Sequence, residues 1–161
     1  MPESIKTKIM RWRFNMFPAF RRTGGRITYI AGDWQEVRVQ LPLTWRTRNI
    51  VGTTYGGSMY GVVDPIYMVM LIRILGPTYL VWDKTAFIRF KKTGTGTLYA
   101  TFCLSNEEIH AIKASLNTLP SVERLYRIEL VNAEGVVHAL IDKTVYIRKK
   151  DRAEEDPLNN G

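Results

Sequence analysis

The sequence predicts one α+β domain in which an antiparallel sheet curls around a single central helix. Three observations lead to this prediction. A long segment ending near Leu75 has helical spacing and is apolar on nearly every side, so it must be buried on every side. Four long strand patterns follow it, the last two separated by a turn that is typical of a hairpin. At 161 residues the chain is also long enough for one domain with its own core.

The N-terminus has the pattern of a basic amphipathic helix. Residues 4 to 20 fit this helix, with Ser4 as its N-cap, and we expect Pro18 to end it. Its apolar positions share one stripe, formed by Ile5, Ile9 and Trp12. Residues 1–22 are therefore predicted to form a helical arm ahead of a domain over 23–150.

The remaining elements follow from alternation and turn residues. Strands are expected near 27–30, 37–41, 79–92, 98–104, 122–131 and 136–148. Ser105 and Glu108 have the spacing of a capping box, which predicts a short helix after the fourth strand. The polar residues 151–161 are predicted to be a disordered tail.

Composition narrows the function classes. A single cysteine, Cys103, excludes an internal disulfide and suits a reducing compartment, and no secretory signal is visible, so a cytoplasmic protein is expected. Two scattered histidines make a metal site improbable, and the chain has neither a phosphate-binding lysine loop nor a dinucleotide fingerprint, so we expect no cofactor. The uninterrupted apolar runs are too short to predict stable membrane insertion.

The formal net charge of +8 calls for an anionic partner. Nucleic acid, an anionic membrane surface and the phosphates of coenzyme A all satisfy this requirement. Net charge alone does not distinguish among these three partners.

The most informative segment is a glycine-rich loop that leads into the apolar helix. Asp64 follows Gly57 by seven residues, about two α-helical turns, so both lie on one face of a helix that begins near Ser58. Free N–H groups at a helix N-terminus can polarise a carbonyl group. A carboxylate desolvated in an apolar helix suits general-base chemistry.

The spacing within this segment resembles that of a known enzyme family. Asn49 is followed by five residues, then Tyr55-Gly56-Gly57, then six residues and Asp64. This order resembles the phenylacetyl-CoA-type thioesterases of the hotdog superfamily, which have His-Gly-Gly in place of Tyr-Gly-Gly.

A second stretch strengthens the resemblance. The chain is similar to a hotdog subgroup known mainly as a domain of unknown function, some of whose members are called tetrameric acyl-CoA thioesterases. Residues 90–96 resemble the strand end and turn of that subgroup, and the likeness extends over roughly 27–148.

The resemblance implies a hotdog fold and hydrolysis of an acyl thioester. It implies that the Gly57 amide holds the carbonyl oxygen, that Asp64 acts as base or nucleophile, and that Asn49 orients the substrate. The implied substrate is acyl-CoA, or an acyl group on acidic acyl-carrier protein, and the implied assembly is a homodimer or homotetramer. The residues expected to contact substrate are Tyr55, Gly56, Ser58, Lys91 and Lys92.

Several residues have a second interpretation. Asp64-Pro65 also fits an N-cap followed by proline at the first helical position, in which case the helix would begin at Asp64. If the helix begins earlier, Pro65 is expected to kink it. Asn49 before a glycine turn fits simple turn chemistry equally well, and Tyr55 fits a pocket wall.

Three other functions compete with hydrolysis. The same cavity could bind acyl-CoA or fatty acid without turnover. The basic arm could instead act on nucleic acid or a membrane surface, although no nucleic-acid partner is predicted in the leading interpretation. A hotdog hydratase ranks last, because no Asp/His pair has hydratase-like spacing.

Overall fold

The structure is a computed structural model that describes residues 1–150, so the predicted disordered tail lies outside the described residues. The helices and strands within this range follow one another in the order given next. They are α1 (Ile5–Met16), α2 (Pro18–Arg22), β1 (Arg26–Ile30), β2 (Glu36–Leu41), α3 (Gly56–Val63), α4 (Ile66–Leu75), β3 (Tyr79–Phe90), β4 (Leu98–Cys103), α5 (Asn106–Ser115), β5 (Ser121–Val131) and β6 (Val137–Lys149).

The strands form one antiparallel sheet in the order β1-β2-β4-β5-β6-β3. Pairing is continuous along β5–β6 and along β3–β6. Between β4 and β5 the described pairing is limited to Tyr99 and Val131, so these two strands are joined at one position. The long strand β3 occupies one edge of the sheet.

The concave face of the sheet holds α3 and α4, which confirms the predicted central helix. Val62, Val63, Met70 and Leu71 are fully buried against it. The ring of Tyr67 stacks on Tyr126 of β5 with centroids 4.2 Å apart. The predicted burial on every side is only partly met, because Met68 and Ile72 are half-buried and Arg73 is exposed.

Pro65 interrupts the central helix, as predicted for a helix that begins before it. The helix begins at Gly56, with Tyr55 at the N-cap position. Proline cannot donate to the carbonyl of Gly61, and the chain passes from α3 into α4 at this point. The alternative that Asp64 caps a new helix is wrong, because Asp64 is the C-cap of α3 and the N-cap position of α4 is Pro65.

The arm departs from prediction in one respect. Pro18 does not end a single helix; α1 ends at Met16, and Pro18 then begins α2, because proline suits the first turn of a helix. Ser4 is the N-cap of α1 as expected, and its side chain accepts from the Thr7 amide.

The combined segment Gly56–Leu75 has 20 residues and a mean hydropathy of 1.4, which by length and composition would allow it to cross a membrane. Half of that window is buried inside the protein, where it forms the core just described.

Candidate functional site

The glycine-rich loop is held by its own side chains. Oδ1 of Asn49 accepts from the amides of Val51 and Thr53 at 3.1 and 3.0 Å, and its Nδ2 donates to the Thr53 hydroxyl at 2.9 Å. Buried Thr54 donates through its amide to the carbonyl of Gly94 at 2.8 Å. The loop is therefore fixed both internally and to the turn after β3.

This geometry favours the turn interpretation of Asn49. The side-chain oxygen and one amide hydrogen are used within the loop. A contact between Asn49 and substrate stays a prediction, for which one N–H remains.

The start of α3 presents free hydrogen-bond donors. The amides of Ser58 and Met59 both donate to the Tyr55 carbonyl, at 3.0 and 3.1 Å. Within residues 1–150 the amides of Gly56 and Gly57 meet no acceptor. Unpaired amides at a helix N-terminus, together with the positive end of the helix dipole, form an anion-binding position.

Two aromatic rings close over these glycines. A Cβ on Gly57 would lie 2.4 Å from the ring of Tyr55, and a Cβ on Gly56 would lie 2.8 Å from the ring of Phe90. Both contacts are shorter than side chains tolerate, so the Gly-Gly pair lets two rings approach the helix backbone.

A cavity of about 390 Å³ lies beside this helix start. Its wall combines the loop, the first turn of α3 and the end of β3. The residues lining it are Asn49, Thr53, Thr54, Gly56, Met59, Phe90, Lys91, Lys92 and Thr93. Both lysines are exposed, so their charged ends can reach an anionic ligand.

His138 holds the turn formed by Lys91, Lys92 and Thr93, named here the lysine turn. Its carbonyl accepts from the amides of Lys91 and Lys92 at 2.8 and 3.1 Å. Nδ1 of the buried ring lies 2.9 Å from the carbonyl oxygen of Thr93, so this nitrogen carries the hydrogen. Nε2 is buried without a partner among the described residues.

Asp64 belongs to a charged cluster around the buried Lys143 rather than to this cavity. Its Oδ1 accepts from the Tyr60 hydroxyl at 2.6 Å and from Nζ of Lys143 at 2.6 Å. No donor to Oδ2 is present among the described residues, and the side chain is 42% exposed. One oxygen is thus fixed while the other stays accessible.

Lys143 stands at the centre of this cluster, named here the Lys143 cluster and comprising Tyr60, Asp64, Asp83 and Lys143. The Lys143 side chain is 1% exposed, and its Nζ lies 2.8 Å from Oδ2 of Asp83. Charges taken out of water must be paired, and two carboxylates satisfy this lysine.

A β-bulge places Asp83 in the cluster. Asp83 pairs with Val145 in the β3–β6 register and Thr85 with Thr144, so Lys84 is the extra residue. Burial raises the pKa of Asp83, and the hydrogen bond from Lys143 opposes that rise. Burial also raises the pKa of Tyr60, with its hydrogen bond to Asp64 as a second cause, so the phenol stays protonated and donates.

The structure brings part of the predicted site together. Asn49, Gly56, Lys91 and Lys92 line one cavity. Tyr55 and Gly57 adjoin it at the exposed helix start, while Ser58 is buried beneath. Asp64 lies about 10 Å farther along the same helix, because each residue advances 1.5 Å.

Sequence reasoning missed Lys143 and Asp83. A signal for Lys143 was available, since alternation along β6 places it on the same inward face as Ile141 and Val145. A lysine at such a position requires acidic partners. For Asp83 the bulge removed the signal, because the alternation of β3 is broken at that point.

Comparison with known proteins identifies the family. Residues 6–147 match the family described as Domain of unknown function (DUF4442). The chain belongs to this family. A search of curated protein sequences gives no match.

Solved structures share the architecture of this DUF4442 chain. A Pseudomonas aeruginosa protein, described as of unknown function and a probable thioesterase, is 20% identical with a TM-score of 0.79, covering 93% of this chain and 99% of its own. A Chlorobaculum tepidum protein of unknown function is 16% identical with a TM-score of 0.72, covering 90% and 95%. A Haemophilus influenzae thioesterase is 11% identical with a TM-score of 0.68, covering 94% and 97%.

At these identities the likeness establishes the fold. An antiparallel sheet curled around a central helix, shared with these structures, confirms the hotdog fold expected for the DUF4442 chain.

Proposed function

We propose that the protein hydrolyses acyl thioesters, with acyl-CoA as substrate and no cofactor beyond the coenzyme A of the substrate itself. The observation that carries this proposal is that the amides of Gly56 and Gly57, at the start of the apolar central helix, meet no acceptor within residues 1–150. The description of the Pseudomonas structure as a probable thioesterase, and of the Haemophilus structure as a thioesterase, supports it.

The Gly57 amide is proposed to donate to the thioester oxygen. As the carbonyl carbon becomes tetrahedral, its oxygen gains negative charge. A fixed N–H and the positive helix end stabilise that charge more than they stabilise the neutral carbonyl. Rate acceleration follows from this difference.

Asp64 is proposed as the base or nucleophile. As a base, its free Oδ2 takes a proton from water while the water oxygen bonds to the carbonyl carbon; the carbon–sulfur bond then breaks and the proton passes to the departing thiolate. As a nucleophile, Oδ2 bonds to the carbonyl carbon directly, the thiolate leaves, and water hydrolyses the resulting anhydride. In both routes Tyr60 and Lys143 hold Oδ1.

The two groups require two copies of the chain. Along one helix Gly57 and Asp64 are about 10 Å apart, too far to act on one carbonyl. The edge strand β3 pairs with β6 along one side, and its residues Trp82, Phe87 and Phe90 are more than half exposed. We therefore place a second copy across β3, in a homodimer or a pair of dimers, with Asp64 of one copy facing Gly57 of the other.

The carrier is proposed to lie against the lysine turn. Lys91 and Lys92 are exposed at the edge of the cavity and suit the phosphates of coenzyme A. Acyl-carrier protein, which is acidic, is also compatible with the net charge of +8. Asn49, Tyr55, Gly56 and Ser58 are proposed to shape the substrate position around the helix start.

The proposal is tested by measuring thiol release from short-chain, long-chain and aromatic acyl-CoA substrates. Asp64→Asn should lose turnover by a factor of about 10² to 10⁴, the usual contribution of a general acid–base group. Asp142→Asn is the matched control, because Asp142 pairs with Arg89 and Arg127 on the outer face of the sheet. Equal rates in the two variants would remove Asp64 from catalysis.

Two observations favour a second candidate, non-catalytic binding of acyl-CoA or fatty acid. Tyr55 stands where the phenylacetyl-CoA-type thioesterases that the sequence resembles have histidine, and Asp64 lies outside the cavity of its own copy. A binder predicts no turnover on any substrate and equal acyl-CoA affinity in the wild type and Asp64→Asn, measured by calorimetry.

A further inference from the structure

Helix α1 has one face attached to the domain. Thr7 is buried, and the Asn15 side chain donates to the carbonyl of Ile27 at 2.9 Å and accepts from the Ile27 amide at 2.8 Å. Glu3 reaches both Arg11 and the amide of Ile30. Phe14 packs against the core on the same side, its ring centre 5.8 Å from that of Phe20, so polar and apolar contacts together fix the orientation of the helix.

The opposite face of α1 is apolar and points into solvent. Ile5, Ile9, Trp12 and Met16 are 79%, 56%, 65% and 46% exposed. At 100° per residue these positions fall within an arc of about 60°. An amphipathic helix normally turns its apolar stripe toward the core, whereas α1 contacts the core through Phe14 on its other side and leaves this stripe in solvent.

The stripe continues into a basic groove. Met16 lines a cavity of about 660 Å³ together with Trp45 and the arginines Arg21, Arg22 and Arg46. Trp45 is 76% exposed, and the guanidinium of Arg46 lies 4.8 Å from its ring centre. An aromatic ring surrounded by arginines suits the boundary between lipid headgroups and acyl chains.

The charge of this surface has one sign. From Ser4 to Gly32 the chain contains no Asp or Glu. The basic residues in that stretch are Lys6, Lys8, Arg11, Arg13, Arg21, Arg22 and Arg26. On the helical projection Lys6 and Arg13 flank one side of the stripe and Lys8 flanks the other.

We propose that the stripe and groove dock the protein onto an anionic lipid bilayer, with α1 lying in the plane of the headgroups. Both the apolar stripe and the basic groove are needed to choose lipid over other partners. A second copy on the same surface would bring like charges together, and nucleic acid would leave Ile5 and Ile9 without an apolar partner. Anionic lipid accepts the charges and buries the stripe.

The test is co-sedimentation with phosphatidylcholine vesicles that contain either no or one-third phosphatidylglycerol. The protein should sediment with the anionic vesicles, much less with the neutral ones, and progressively less as salt increases. Two double variants separate the contributions of the stripe and the groove to vesicle binding. Ile9→Gln/Trp12→Gln alters the stripe, and Arg21→Gln/Arg22→Gln alters the groove. Each should weaken vesicle binding about tenfold or more.

The control is Leu119→Gln/Leu125→Gln, which removes two exposed apolar residues elsewhere and should bind vesicles like the wild type. All altered residues are exposed, and circular dichroism checks that each variant is folded.

Three results would overturn the proposal. The first is wild-type protein that fails to sediment with anionic vesicles, or a control variant that binds vesicles as weakly as the stripe variant does. The second is a wild-type oligomer that is lost in the stripe variant, as measured by light scattering, which would assign the surface to a second copy. The third is tighter binding to DNA or RNA than to vesicles, lost in the groove variant alone. Vesicle binding is measured without substrate, so its outcome is independent of thioester hydrolysis.

Discussion

Nζ of Lys143 lies 2.6 Å from Oδ1 of Asp64, beside the point where Pro65 interrupts the central helix. The same nitrogen also donates to the Asp64 carbonyl oxygen. The helix interruption, the lysine and the carboxylate are therefore one arrangement, in which Lys143 of β6 binds the end of α3 and fixes the carboxylate of the proposed reaction.

Replacement of Lys143 by methionine should destabilise the protein strongly. It leaves Asp64 and Asp83 facing each other without the cation. Breaking a fully buried ion pair costs about 3–5 kcal/mol, and the partial exposure of the two carboxylates (42% and 24%) lowers the expected cost to about 2–3 kcal/mol. Chemical denaturation measures the change. Lys84→Met is the control, because Lys84 pairs with Glu123 at the surface and should cost about 1 kcal/mol or less.

Equal losses in the two lysine variants would contradict the central role of Lys143. Adding Asp64→Asn and Asp83→Asn to Lys143→Met should restore part of the lost free energy of unfolding, because the uncompensated charges are then removed.

Gly56→Ala should force Phe90 away from the helix start. The new Cβ would lie 2.8 Å from the Phe90 ring, and overpacking of this kind costs about 1–3 kcal/mol in unfolding free energy. Thermal unfolding compares it with Gly96→Ala, where nothing lies within 4 Å of a Cβ. A second change, Phe90→Ala, should reduce the penalty of Gly56→Ala; an additive outcome would show that the ring is not the obstacle.

Lys91→Gln/Lys92→Gln should weaken the use of acyl-CoA while sparing substrates that lack the nucleotide. If the two lysines contact phosphates, KM for acyl-CoA rises about tenfold and its dependence on salt declines. An acyl thioester of N-acetylcysteamine should be hydrolysed at the wild-type rate. Lys113→Gln, an exposed change on α5, is the control, and an equal rise in KM for both thioesters would exclude a phosphate contact.

Acid should loosen the attachment of the N-terminal arm. The hydrogen bond from Arg11 is the main cause that lowers the pKa of Glu3 in the folded protein. A lowered carboxyl pKa adds stability above the unfolded value of about 4.3, and this stability is lost as the pH falls through the folded pKa. Hydrogen exchange of α1 should therefore accelerate as the pH is lowered below about 4 relative to β6, after correction for intrinsic rates.

In the Glu3→Gln variant, the amide hydrogens of α1 should exchange faster than in the wild type even at neutral pH. Their additional acceleration in acid should be smaller. A variant with the same acid dependence as the wild type would show that another group attaches the arm.

Much of the fold was predictable because its signals are local. Alternation located the strands, the apolar segment ending at Leu75 located the central helix, and Ser4 and Ser105 marked two helix starts. Helix and strand periods are set by backbone geometry, so a single sequence displays them. The spacing of Asn49, Gly57 and Asp64 likewise predicted the loop and the helix that carry the proposed site.

Tertiary structure decided which residues meet. Lys143 is 79 positions from Asp64 in sequence, and a bulge in β3 turns Asp83 toward the same lysine. Local pattern also predicted an apolar stripe on α1, but it did not show that Glu3, Phe14 and Asn15 attach the other side of the helix and leave the stripe in solvent. Periodicity records which residues share a face; the face that is buried depends on long-range contacts, which no short window of sequence contains.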